Sequence, residues 1–103
     1  MIRFENYASE VTGRAGQRYY RWRLFVEEPQ DVRDRIKSVE YILHPTFPEP
    51  VQVRTDPGDN FALETSGWGS FRAAIRIYFK DGSKEDTSYW VDLRKPWPLG
   101  ATG

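Results

Sequence analysis

Arg72-Ala73-Ala74-Ile75-Arg76-Ile77-Tyr78-Phe79, followed at once by Lys80-Asp81-Gly82-Ser83, decides the fold. Ala73, Ile75, Ile77 and Phe79 alternate with Arg72, Ala74, Arg76 and Tyr78. A period of two marks a strand with one buried and one wet face. Asp-Gly is a favoured hairpin dipeptide, so a last strand follows it directly. There Tyr89, Val91 and Leu93 alternate with Trp90, Asp92 and Arg94. Working toward the N-terminus, the same rule holds twice more. Trp22, Leu24 and Val26 alternate with Arg21, Arg23 and Phe25, and Val39, Tyr41 and Leu43 with Glu40, Ile42 and His44.

Turn signals separate the runs. Thr12-Gly13-Arg14-Ala15-Gly16 stands between the first two strands, and Pro29-Gln30-Asp31 follows the second. Pro45, Pro48 and Pro50 interrupt the middle of the chain, ahead of Asp56-Pro57-Gly58-Asp59. Val32 to Lys37 suits a helical turn, too short and charged for a core helix. Short strands spaced by turns over 103 residues predict an all-β protein, an immunoglobulin-like β-sandwich of about seven to eight antiparallel strands.

Composition narrows the function. Charged residues make up 29% of the chain and balance to a net charge of zero, which leaves no excess for nucleic acid or a membrane surface. The absence of cysteine excludes disulfides, thiolate metal sites and thiol nucleophiles, so stability must come from packing. His44 is the only histidine, which excludes a multi-histidine metal site, and no metal or other cofactor is expected. No secretory signal or apolar run of ~20 residues is present, so a soluble, cytoplasmic protein is expected. Residues 1–98 read as one domain, and 99–103, Leu-Gly-Ala-Thr-Gly, as a flexible tail or the start of a linker.

Two segments stand apart from this economy. Leu43-His44-Pro45-Thr46-Phe47-Pro48 and Ser66-Gly67-Trp68-Gly69-Ser70-Phe71 each set an aromatic ring beside turn-forming Pro or Gly and a hydroxyl. Hydrophobic collapse alone would place Phe47 and Trp68 in strands rather than loops. Two such rings, with hydroxyls and backbone N–H groups nearby, suit a clamp for a flat, weakly polar group. The competing reading makes Trp68 a packed corner residue and Phe47 a lid over the sandwich end.

At these residues the chain resembles the YEATS domain family, whose pattern joins a Leu-His-x-[Ser/Thr]-Phe-x-x-Pro loop to a later Gly-Trp-Gly-x-Phe loop. Here they are Leu43-His44-Pro45-Thr46-Phe47-Pro48-Glu49-Pro50 and Gly67-Trp68-Gly69-Ser70-Phe71. Trp22-Arg23-Leu24-Phe25-Val26 and Ile75-Arg76-Ile77-Tyr78-Phe79-Lys80-Asp81 add to the match, which runs from about Trp22 to Leu93. The chain looks more like the compact prokaryotic branch than the longer eukaryotic domains. The resemblance implies an immunoglobulin-like sandwich that reads acylated lysine, acetyl and crotonyl forms among them.

It also implies residue roles. Phe47 and Trp68 would stack on the two faces of the acyl-amide. Thr46 would hydrogen-bond that amide, with the Trp68 N–H, left accessible by Gly67 and Gly69, as the second partner. His44 would brace the loop, Gly69 would leave the far end open for longer chains, and Tyr19 is the candidate for an additional first-loop aromatic. Trp90 and Trp97 read as structural, the latter anchoring the tail.

The leading expectation is therefore a binding module whose partner is an acylated lysine in a protein or peptide, working beside a fused or neighbouring signalling domain. The alternative is an immunoglobulin-like adaptor in a prokaryotic signalling or defence protein that binds a protein through a strand edge. A deacylase is the weakest option, because Ser66, Ser70 and His44 come without a Gly-x-Ser-x-Gly elbow or a metal triad.

Overall fold

Each alternating run folds as a strand. The computed structural model describes residues 1–12, 18–67 and 69–97. Its strands are β1 (Phe4–Thr12), β2 (Arg18–Val26), β3 (Ile36–Ile42), β4 (Val51–Arg54), β5 (Leu63–Gly67), β6 (Phe71–Phe79) and β7 (Lys84–Val91). They form two sheets ordered β1-β2-β5 and β4-β3-β6-β7, with every neighbouring pair antiparallel. The expected immunoglobulin-like sandwich is the fold found. Gly13–Gln17, most of the expected first turn, and the tail from Pro98 onward lie outside the described residues.

The period-two reading assigns the core-facing positions of these runs, with one departure: Phe25, expected on the wet face of β2, is buried against Tyr7 on that outer face. Trp22, Leu24 and Val26 from β2 meet Val39 and Tyr41 from β3 and Ala73, Ile75 and Ile77 from β6, all buried. Leu43 and Leu93 continue the inward set just past the ends of β3 and β7. The Asp81-Gly82 hairpin is also as expected. Gly82 takes a φ of 91°, a conformation open to glycine, and Asp81 Oδ1 accepts the Ser83 N–H at 2.8 Å.

One element differs. The helical turn expected over Val32 to Lys37 lies earlier, as α1 (Gln30–Arg33), and Ile36 and Lys37 already belong to β3. Pro29 starts the turn, its carbonyl accepting the N–H groups of Val32 and Arg33. Ile36 is only 1% exposed, and sheet burial outweighs continuation of a charged helix.

Three polar ties replace the missing disulfides. Asn6 of β1 is fully buried; its Nδ2 donates to the Asp92 carbonyl at 2.9 Å, and its Oδ1 accepts from the Tyr89 hydroxyl and the Asp92 N–H. The segment after β7 then crosses to the other sheet, where Ala8 N–H donates to Lys95 O and Trp97 N–H to Ala8 O. Trp97 does anchor this segment, its ring lying under the Arg21 guanidinium at 5.5 Å. The buried Tyr41 hydroxyl donates to the Phe61 carbonyl at 2.7 Å. Burial pushes its phenol well above the ordinary range.

Two predictions follow from these ties. Asn6→Ala leaves the Asp92 N–H and carbonyl without their buried partner, while the Tyr89 hydroxyl keeps Glu5 Oε1 at 3.0 Å; the change costs about 1–3 kcal/mol in urea unfolding. Glu5 gives a pH signature. Burial alone would raise its carboxyl, but Lys95, the Asn6 N–H and the Tyr89 hydroxyl hold it below its usual value. Its stabilising contribution is therefore present above the ordinary carboxylate pKa and lost as pH falls through the lower folded value. Glu5→Gln should be less stable than the parent at neutral pH, with the gap closing in acid, as read by thermal unfolding across pH.

Candidate ligand-binding site

At one end of the sandwich three chain segments converge. β3 runs out through Leu43 into the His44–Pro50 loop, β5 ends at Gly67, and β6 begins at Phe71. The end of β7 closes the group, because Ser70 Oγ accepts the Leu93 N–H at 3.1 Å. Between them lies a cleft of about 280 Å³ lined by His44, Thr46, Phe47, Pro48, Ser66, Gly67, Gly69, Ser70 and Phe71. The two motif loops, separate in sequence, face each other across it.

Phe47 is less free than the sequence suggests. Its backbone N–H donates to His44 O at 3.0 Å, closing a tight turn. The half-buried ring stands edge-to-face with Trp22 (centroids 6.3 Å, 89°) and tilted against Phe71 (5.4 Å, 51°). It is anchored to the core and forms a fixed wall of the cleft. The lid reading and the wall reading describe the same ring.

His44 and Thr46 are exposed on the rim. The Thr46 N–H donates to His44 Nδ1 at 3.3 Å, and Thr46 Oγ1 stands 2.9 Å from the same nitrogen. A nitrogen that accepts an N–H carries no proton of its own, so the hydroxyl donates to it as well. Both lone pairs of Oγ1 are then left to accept a ligand N–H. Of the two roles open to Thr46, accepting or donating, this geometry favours accepting.

Gly67 is the last residue of β5 rather than a loop residue, paired with Tyr20 of β2. A Cβ at Gly69 would meet nothing within 4 Å, so this side of the cleft is open. Trp68, the second ring of the expected clamp, lies outside the described residues.

Tyr19 is not brought to the cleft. Trp22 points inward, and alternation sends Tyr20 inward as well, packed against the core, while Tyr19 points to the outer face. There it lines a separate hollow with Val11, Arg21 and Glu64. Phe71 and Trp22 are the rings that support the site, and sequence reading gave neither a role in it. Their signal was present: Phe71 opens the inward-facing positions of β6, and Trp22 is the largest inward residue of β2.

A larger hollow of about 610 Å³ lies at the far end of β6, around Ile2, Val32, Phe79, Arg35 and Glu85. Size does not select it as the site, since neither motif loop reaches it. Among the described residues no three acidic or histidine side chains gather as a metal-binding cluster.

An immunoglobulin-like sandwich with a cleft between its two motif loops at one end defines a class of protein, the YEATS-type domain. A family model described as the prokaryotic YEATS domain matches residues 20–92, and the chain belongs to that family. Among curated relatives, the protein AF-9 homolog of Kluyveromyces lactis is 44% identical over 66 residues, covering 62% of this chain and 29% of that protein. The Schizosaccharomyces pombe homolog is 31% identical over 81 residues, covering 77% of this chain and 36% of that one. The chain thus spans about a third of the length of these relatives. In structure it is similar to a Yaf9 YEATS domain recognizing an H3K122suc peptide, with a TM-score of 0.72 at 26% identity over 91% of this chain and 78% of that one. A Yaf9 YEATS domain bound to H3K27ac gives 0.69 at 25% identity, over 94% and 78%.

The packing of Phe47 generates its own test. Phe47→Ala removes a half-buried ring from Trp22 and Phe71, and should cost about 2 kcal/mol in denaturant unfolding, below the ~3–5 kcal/mol of a fully buried phenylalanine. A change near zero would mean that the ring is not anchored.

Proposed function

We propose that this domain is a binding module for acylated lysine, with the cleft between the His44–Pro50 loop and the Gly67–Phe71 segment as its site. The observation that carries this reading is the convergence of Phe47, Thr46, Gly67 and Gly69 around one open cleft at the sandwich end. Two solved structures of a Yaf9 YEATS domain, similar over nine-tenths of this chain, are complexes with acylated histone peptides.

The chemistry follows from the groups available. An acylated lysine is neutral and ends in a flat amide, whereas free lysine is a hydrated cation that resists enclosure. Phe47 supplies one ring face, held in place by Trp22 and Phe71. Trp68 supplies the other, and stacking on rings contributes about 0.5–1.5 kcal/mol per contact beyond area burial. Thr46 Oγ1 accepts the amide N–H, and the Trp68 backbone N–H donates to the carbonyl. His44 orients the Thr46 hydroxyl. Gly69 leaves room for chains longer than acetyl.

Affinity is modest in this scheme. Each buried carbon adds about 0.8 kcal/mol, so a crotonyl chain gains about 1.6 kcal/mol over acetyl, close to tenfold. Binding lies between tens of micromolar and millimolar, and a fused or neighbouring domain would add avidity.

Titration of one peptide in acetylated, crotonylated and unmodified forms, followed by tryptophan fluorescence, tests the reading. Both acylated forms should bind and the unmodified form should not. Trp68→Ala should abolish binding while the domain stays folded, and unchanged affinity in calorimetry would sink the clamp.

One observation favours the adaptor reading. β4 is an edge strand, and its Val51 and Val53 are half exposed, at 53% and 50%. Such an edge can accept an added strand. If Val51→Lys with Val53→Lys abolishes capture of a partner while Trp68→Ala does not, the edge carries the function.

A further inference from the structure

Along the β1–β7 side the two sheets are tied by Asn6 and the Lys95–Trp97 segment. On the other side stand β4 and β5, edge strands of different sheets. Gln52 and Arg54 pair with Tyr41 and Val39, which are buried, so alternation turns them inward along this seam. Thr65, paired with Trp22, turns inward from β5. The inward positions of β6 are apolar and buried, whereas these three are polar and half-buried. A groove of about 270 Å³ follows the seam, with Leu43, Phe47, Pro48, Gln52, Arg54 and Thr65 in its walls. Phe47 and Pro48 also line the cleft, so groove and cleft meet at that wall.

Arg54 brings a charge that the groove leaves unmet. Its Nη1 donates to Val53 O at 2.9 Å and to Gln52 Oε1 at 3.3 Å. Gln52 is held in turn, its Nε2 donating to Glu49 O at 2.9 Å. Among the described residues no carboxylate pairs with Arg54, and its Nε and Nη2 donate to nothing. Neither nitrogen is buried, so a ligand in the groove can reach both. Nε and Nη2 form the edge of the guanidinium that grips a carboxylate side-on. The two acids of the groove are turned to other partners. Glu64 pairs with Arg21 at 3.6 Å, and Glu49 Oε2 accepts from Gln52 Nε2 at 3.4 Å.

We propose that this groove takes the polypeptide beside the acylated lysine, and that Arg54 selects an aspartate or glutamate in that flank. The inference rests on the acyl-lysine reading above and names a class of ligand sequence within it. Arg54 lies four residues on from Pro50, which ends the motif loop. At a rise of about 3.3 Å per residue this is about 13 Å, so the acidic residue falls about three to five positions from the acylated lysine. A lysine at that position would face the guanidinium instead and be disfavoured.

The test is calorimetry on acetyl-lysine peptides with glutamine at the five positions on either side, replaced one at a time by glutamate or lysine. One placement of glutamate, three to five residues from the acetyl-lysine, should tighten binding to the parent about three- to tenfold, the range of a partly screened, charge-assisted pair. Lysine at that placement should weaken it. Arg54 is not among the residues that line the cleft, so its variants leave the acyl contacts in place. In Arg54→Gln the gain from glutamate should vanish while the all-glutamine peptide binds as before, and in Arg54→Glu the preference should turn to lysine. No glutamate preference at any placement, a preference that survives Arg54→Gln, or an equal loss of every peptide in that variant would each overturn the inference and leave acyl-lysine reading intact. If no acetylated peptide binds the folded parent, the acyl-lysine reading falls, and the inference with it.

Discussion

Trp22 is where the two sheets and the cleft depend on one another. It comes from β2, in the three-stranded sheet, and its fully buried indole contacts Phe71 at the start of β6 in the other sheet and Phe47 in the loop after β3. A single ring thus sets the spacing of the sheets at this end and the wall of the cleft above it. Edge-to-face contact suits both tasks, because it fixes angle as well as distance. The ligand-facing ring is then held before any ligand arrives, and ordering it on binding carries little entropic cost.

The remaining ties do the work that a disulfide does in other small sandwiches. Asn6 joins the first strand to the end of the last, and the crossing segment from Lys95 to Trp97 extends the β1 edge. Tyr41 reaches from β3 to the turn before β5. That turn carries the most unusual backbone among the described residues. Asn60 and Phe61 both take left-handed conformations, at φ 55° and 52°. Each costs about 1–2 kcal/mol for a residue with a side chain. Complete burial of Phe61 and the Tyr41 hydrogen bond offset this.

Much of this was legible in the alternation. The inward positions of β2, β3 and β6 read directly from the sequence, as did the Asp81-Gly82 hairpin. Once Trp22 is inward, Tyr20 must be inward and Tyr19 outward, so counting back from Trp22 by parity excludes Tyr19 from the cleft. The helical turn was displaced because local charge and turn signals over Val32–Lys37 say nothing of the space waiting for Ile36 beside β6. The two loops were recognisable as a pair only through their family pattern. Their residue types suggest a clamp but do not bring the loops together.

By itself, the sequence determined strands β2, β3, β6 and β7 with their inward positions, the disulfide-free core and the pair of motif loops, because these follow from side-chain period and local turn chemistry; β4 and β5 carry no such inward apolar period and were assigned only by their pairing. Tertiary structure alone decided what the loops can do. Phe47 became a wall because Trp22 and Phe71 come from distant strands to meet it. Thr46 became an acceptor because a turn brings its N–H onto His44. The place of Gly67 beside the indole nitrogen of Trp22 depends on strand register, and register is set by long-range pairing that no local pattern contains.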